Sequence, residues 1–284
     1  MATAAETAAA VAEIETRGYT VLRGAMGGEW AARCRTEFDA VLSDFAAHTE
    51  PNRGPARYYM NVPPVQPFLD PLAEPRTNAI LGSMLGDDFV VENLASDTPL
   101  GTGSEAQLFH QDGVQLPDIR LKLGHRTEPL ELEAPQIPTA PWTLIANVAL
   151  SDITEQDGPF MIVPGSQALS VEETERRLEA GTLALEPVCP MRAGDIFVRN
   201  PHCVHRGSAS ERDARRPMLA YIFTKPSHFA SWSLRTHAIS ERVLGSLEPG
   251  VQRMLRMIPR AGAEAELLQG YNSGEDMAQE LAKL

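Results

Sequence analysis

Cysteine is scarce in this chain of 284 residues: Cys34, Cys189 and Cys203 form an odd, widely spaced set with no C-x-x-C pair. Neither a disulfide framework nor a thiolate zinc site is expected, and the thiols read as reduced, mostly core groups. Positive charge is also short, with 25 Lys and Arg against 38 Asp and Glu, a balance of −13. Such a surface repels phosphate backbones and anionic leaflets, which argues against nucleic-acid and membrane partners. No apolar run is long enough to span a bilayer, and the opening MATAAETAAAVAEIE carries acids where a secretory leader needs a basic end and an apolar stretch. A soluble, cytoplasmic protein is the expectation. Repeats and low-complexity tracts are missing as well. What the chain does have is 43% hydrophobic content, enough to bury a large core in a single domain over 1–284.

The alanine-rich opening predicts a helix ending at Gly18, then a short strand Tyr19 to Leu22, then an amphipathic helix Glu29 to Phe45. Residues 46 to 66, rich in Pro, Asn, Gly and Arg without a clear period, read as a loop, and helix resumes near Arg76 to Leu85. From Phe89 to Phe223 the pattern changes to short β-like runs between turn residues: FVVENL, AQLFHQD, TLIANVAL, FMIV, DIFV and PMLAYIF. This predicts an antiparallel jelly roll over 88–224, with the entry segment 1–87 before it and helices over 225–284 after it. Two interruptions stand out. Gly113 to Pro141, with five prolines, is too long for a hairpin connection and reads as a functional loop or lid. SVEETERRLEA, from Ser170 to Ala180, has the capped pattern of a solvated surface helix.

His110 and Asp112 lie two apart on a β-like run, so both side chains point to one face. Two imidazoles and one carboxylate leave three positions open on non-haem iron, room for a bidentate oxoacid and then oxygen. His205, at the end of the strand-like segment Asp195 to Val204, is the best third ligand, and His202 is the rival. Arg216, eleven residues beyond His205 at the mouth of MLAYIF, can pair its guanidinium with the far carboxylate of 2-oxoglutarate. An isolated H-x-D arises by chance, and only the ordered set raises it above that background.

The ordered pieces GYTVLRG (18–24), QLFHQDG (107–113), WTLIANVALSDITEQDGPFMIVPGS (142–166), GDIFV (194–198) and the stretch from His205 to Arg216 resemble the phytanoyl-CoA dioxygenase family. The resemblance covers most of the chain. It implies a mainly β fold with flanking helices around a double-stranded β-helix, the cupin-like jelly roll. It implies Fe(II), 2-oxoglutarate and O2 as cofactor and co-substrates, with succinate and CO2 formed as a small organic, natural-product-like substrate is hydroxylated or otherwise oxidised. Position by position, it implies iron ligands His110, Asp112 and His205, carboxylate binding by Arg216, and co-substrate contacts from Gln107, Thr143 and Ser208. Two departures are visible: Arg206 separates His205 from Gly207 and Ser208, where many members have Gly and Ser directly after the histidine, and the long 113–141 loop is not family-defining in length or sequence. The carboxylate ligand favours oxygenation over halogenation, since related halogenases have a small residue there.

Other residues have plainer readings. His125, His228 and His237 are isolated, and a lone histidine is more often a satisfied polar group than a ligand. Asp157-Gly158 and Pro164-Gly165 read as turns. Arg120, Lys122, His125 and Arg126 form a basic cluster whose default is a solvated face. Tyr58, Tyr59, Met60 and Asn61, with Phe229 and Trp232, suit either a substrate wall or core packing. Two rival functions stay open: a non-redox metal enzyme on a cupin-like barrel, and a binding protein that has lost turnover.

Overall fold

In the computed structural model of the chain, the residues described are 3–112, 141–229 and 238–261. The 113–140 part of the long loop with its basic cluster, Trp232 and His237, and the acidic stretch after 261 lie outside them.

The entry segment follows its local sequence. Helix α1 (Ala4–Arg17) starts at a reciprocal Thr3–Glu6 capping box and ends at Gly18, whose φ of 87° is left-handed. Glycine is needed there for a second reason: a Cβ would stand 2.5 Å from the Cys203 sulfur. The chain then enters β1 (Tyr19–Leu22) directly. Helix α2 (Gly28–His48) buries Trp30, Cys34, Phe38, Leu42 and Phe45, a stripe at three- and four-residue spacing. Helix α3 (Pro75–Leu85) is capped by the Glu74 carboxylate, with proline in its first turn.

The remaining strands are β2 (Arg57–Asn61), β3 (Val90–Pro99), β4 (Thr143–Ala149), β5 (Phe160–Ile162), β6 (Glu186–Pro187), β7 (Ile196–Arg199), β8 (His205–Gly207) and β9 (Met218–Thr224). They form a six-stranded sheet ordered β1-β7-β4-β9-β3-β2 and a three-stranded sheet ordered β6-β5-β8. Every pairing within these two sheets is antiparallel. This is the expected mainly β jelly roll. Alternation along the strands separates two cores. Leu144, Ala146 and Val148 of β4 and Leu219, Tyr221 and Phe223 of β9 pack in the large core with the helices. Ala149, Phe197 and Met218 pack on the other face with Tyr19, Ile162 and Cys203, toward the small sheet. The space between the sheets is thereby defined, and the polar residues discussed below open into it.

The remaining helix, α4 (Val171–Glu179), is capped by Ser170 and buries only Thr174, as a surface helix should.

Three expectations need correction. The stretch 46–66 is not all loop, because it contains β2, which pairs with β3 at the sheet edge; an edge strand needs little apolar period. AQLFHQD is not a regular strand: His110 makes one isolated bridge, to His205, while Gln107 and Asp112 donate backbone N–H groups to Gly207 and Pro201. Beyond β9 the described chain is only partly helical. It carries α5 (Glu241–Gly245) and α6 (Pro249–Met254) with a small parallel pair, β10 (Ile239–Ser240) and β11 (Arg260–Ala261).

Candidate metal and co-substrate site

Strand β8 and the segment 107–112 beside it bring three donor side chains together. One ligand atom each from His110, Asp112 and His205 lies within 4.8 Å of the others. His205 Nε2 stands 3.3 Å from Asp112 Oδ2, and His110 Nε2 stands 3.8 Å from Asp112 Oδ1. Each imidazole is fixed at its other nitrogen, His110 Nδ1 on the Leu108 carbonyl and His205 Nδ1 on the Cys203 carbonyl, both at 2.8 Å. A nitrogen bonded to a carbonyl oxygen must carry the proton, so both Nε2 lone pairs are left facing Asp112. Phe160 stacks on the His205 ring at 4.8 Å and sets its tilt.

Electrostatics keep these groups in ligand form. Burial pushes the Asp112 carboxyl up, but Arg199 and the two imidazoles outweigh it and hold it well below the usual carboxylate range. The strongest partner is Arg199, whose Nη2 lies 2.6 Å from Asp112 Oδ2. Burial, aided by Arg199, pushes His205 down to about 4, so its imidazole is neutral at pH 7. His202, the rival ligand, is outside the three-donor cluster; its Nδ1 has no partner among the described residues.

Arg216 enters just before β9, where its N–H donates to the Pro99 carbonyl, and its side chain is 3% exposed. Its guanidinium has almost no acceptors: Nη1 has only the Met218 sulfur at 3.9 Å, and Nε has none among the described residues. Burial and then the neighbouring Arg57 lower it to about 10, still fully charged at neutral pH. Arg215, by contrast, is half-exposed, 3.7 Å from Asp39.

The other expected contacts fall in different places. Gln107 bridges, donating to Asp97 Oδ2 at 3.1 Å and accepting from the Gly207 N–H at 2.9 Å. Ser208 spends its hydroxyl on the Pro159 carbonyl at 2.7 Å. Thr143 is not brought to the triad: its Oγ1 meets Thr224 Oγ1 at 3.0 Å. That is four residues, roughly 13 Å, along β4 from the Asn147 that touches Arg199. Tyr59 is half-buried, and its phenol, pushed up to about 12 mainly by burial, has Asp112 and Arg199 in electrostatic reach.

Against this geometry, the profile of the phytanoyl-CoA dioxygenase (PhyH) family matches residues 14–218. The chain belongs to that family. A PhyH chain is similar in sequence to the dioxygenase ALT11 of Alternaria alternata, 27% identical over 181 residues. The match takes in 63% of this chain and 53% of ALT11, so it spans about half the length of that curated relative. Among solved structures it resembles SnoK, a non-heme alpha ketoglutarate dependent carbocyclase from nogalamycin biosynthesis. That likeness has a TM-score of 0.57 at 20% identity and covers 76% of this chain and 83% of SnoK. It also resembles EctD from S. alaskensis with bound Fe, at a TM-score of 0.57 and 17% identity over 80% and 78% of the two chains. AviO1 from Streptomyces viridochromogenes Tue57 gives 0.58 at 16% identity, over 80% and 98%. At these identities the structures carry the fold.

Two residues of this PhyH site escape sequence reasoning. Arg199 ends β7 in the run IFVR, and its position opposite Ile145 on β4 becomes meaningful only once the inner face is known. Arg57 lies inside the supposed loop, yet is 1% exposed, 3.0 Å from Asp97 and 2.8 Å from the Ser208 carbonyl. A Cβ on Gly207 would meet the Arg57 Nη1 at 2.6 Å, which explains the glycine after Arg206. The visible signal was confined to Arg199, an arginine directly after the β-like run DIFV.

Proposed function

We propose that this chain is an iron(II) and 2-oxoglutarate-dependent dioxygenase that oxidises a small organic molecule, with His110, Asp112 and His205 as the iron ligands. One observation carries the reading: three donors of the 2-His-1-carboxylate kind converge within 4.8 Å, with both imidazoles locked in the tautomer that offers Nε2. Bound iron, with O2 and 2-oxoglutarate, supplies the oxidising power and leaves succinate and CO2.

The protein's own residues do the rest. Arg216 is a buried, charged fork short of acceptors, and a distal carboxylate would satisfy it. Gln107 fixes the spacing between the His110 segment and β8 by holding Asp97 and Gly207 together. Arg199 orients the Asp112 carboxylate, and Tyr59 stays protonated beside it. A non-redox metal enzyme with the same triad has no use for a buried guanidinium without acceptors, so Arg216 favours the oxygenase. The likeness to SnoK, from nogalamycin biosynthesis, points to natural-product chemistry as the place to look for substrates. The test is oxygen-dependent succinate formation from 2-oxoglutarate by Fe(II)-loaded protein, stimulated by members of a metabolite pool. Stimulated turnover that is abolished in Asp112→Ala is expected; metal-dependent turnover without 2-oxoglutarate would favour the non-redox reading.

A further inference from the structure

Arg199 is buried more deeply and satisfied less fully than orienting Asp112 requires. Its side chain is 6% exposed. Nη2 holds Asp112, Nε donates to Asn147 Oδ1 at 3.2 Å, and the Phe160 ring lies 4.9 Å from the guanidinium carbon. Nη1, with two N–H donors, is buried with no partner among the described residues. A guanidinium clamped on three sides, in direct contact with the Asp112 carboxylate and with two buried donors left over, has the chemistry to hold a second anion.

Charge points the same way. Arg57 and Asp97, 3.0 Å apart, cancel each other. Ferrous iron, the Asp112 carboxylate and the doubly charged co-substrate together leave one negative charge. Arg216 and Arg199 bring two positive ones. Counting these groups alone, one positive charge is left over, next to the metal, where water screens it poorly. An unpaired buried charge is costly, and a ligand that neutralises it gains accordingly.

We infer that Arg199 makes this enzyme selective for a substrate carrying a carboxylate, which its Nη1 grips beside the metal. This rests on the iron and 2-oxoglutarate reading above. The same donors can also serve the co-substrate's own keto-acid carboxylate, and the experiment separates the two sources. The anaerobic Fe(II) and 2-oxoglutarate complex, followed by its visible charge-transfer band, is titrated with benzoate, phenylacetate and 4-phenylbutyrate, each paired with its amide. The amides match the acids in shape, lack the charge and put an N–H donor where one carboxylate oxygen would accept.

At least one acid should displace the band maximum with an affinity roughly ten- to a hundredfold above its amide. Arg199→Gln should bring the acid-over-amide affinity ratio, read within the variant itself so that any weakening of its own band cancels, toward one, and Arg199→Lys should restore part of it. Equal response to all acids and amides, including none, overturns the inference while leaving the iron reading intact. So does bleaching of the band by the acids, which would mean displaced co-substrate, or an Arg199→Gln defect confined to 2-oxoglutarate affinity. If the band never forms, the reading beneath fails and takes this inference with it.

Discussion

Replacing Arg216 should move two quantities in opposite directions. The guanidinium is 3% exposed, lacks an acceptor on Nε and is lowered from 12.5 to about 10, first by burial and then by Arg57. A cation whose folded-state pKa lies below its unfolded value costs stability at every pH where both states are charged. Here that cost is about 3 kcal/mol at pH 7, since each unit corresponds to about 1.4 kcal/mol. Arg216→Met fills similar volume without charge, so the metal-free protein should become more stable, by up to about 3 kcal/mol, in urea denaturation. The same change leaves the distal carboxylate of 2-oxoglutarate unpaired. Truncating one partner of a buried charge pair costs about 2–5 kcal/mol, so the dissociation constant should rise by one to three orders of magnitude or more. Anaerobic calorimetric titration of the Fe(II) protein measures it. Lysine should rescue only partly, because a point charge does not reproduce a planar fork. Arg215→Ala is the control, since that side chain is half-exposed beside Asp39 and should bind co-substrate as wild type. An Arg216→Met variant that binds 2-oxoglutarate normally, or is much less stable without metal, would refute the reasoning.

Other substitutions test the metal side. His110→Ala, Asp112→Ala and His205→Ala should each lose tight iron binding while remaining folded, whereas His202→Ala keeps it; metal analysis after desalting shows whether the two histidines 202 and 205 have been confused. Asp112→Gly should be inactive rather than a chlorinating enzyme, because opening a position does not place the substrate; product mass spectrometry showing robust hydroxylation would mean that Asp112 is dispensable. The metal-free protein should lose stability as pH falls from 6.5 to about 4, because the unfolded chain takes up a proton at residue 205 that the buried, folded His205 refuses. The loss from this group is about 3 kcal/mol, complete below pH 4. Denaturation of His205→Gln should show a shallower acid slope than wild type, and an identical slope would contradict the burial argument.

Much of the architecture was legible because the relevant signals are local. Thr3 and Glu6, Ser170 and the glycine at 18 mark helix ends through backbone chemistry that needs no tertiary context. The alternation in TLIANVAL and MLAYIF likewise separates two faces by side-chain direction alone. Strand β2 was hidden because an edge strand pairs on one side only, and the two residues that alternate with its core-packed Tyr58 and Met60, Arg57 and Tyr59, are not aliphatic. In the site, H-x-D and a later histidine were visible as a pattern. The tautomer lock was not, because it depends on the Leu108 and Cys203 carbonyls turning toward each ring. Arg199 was missed for a related reason: a charged residue ending IFVR looks like a strand terminus until its side-chain ion pair with Asp112 is seen. Thr143 shares a face of β4 with Ile145 and Asn147, and its hydroxyl meets that of Thr224.

The central claim is that His110, Asp112 and His205 hold iron with room for a chelating keto acid. Anaerobic addition of Fe(II) and then 2-oxoglutarate to the full chain tests it in a cuvette. A weak visible charge-transfer band that saturates at one equivalent of metal, and fails to form in His205→Ala, is the predicted result. No band with metal bound, or an unchanged band after the loss of His205, would contradict it.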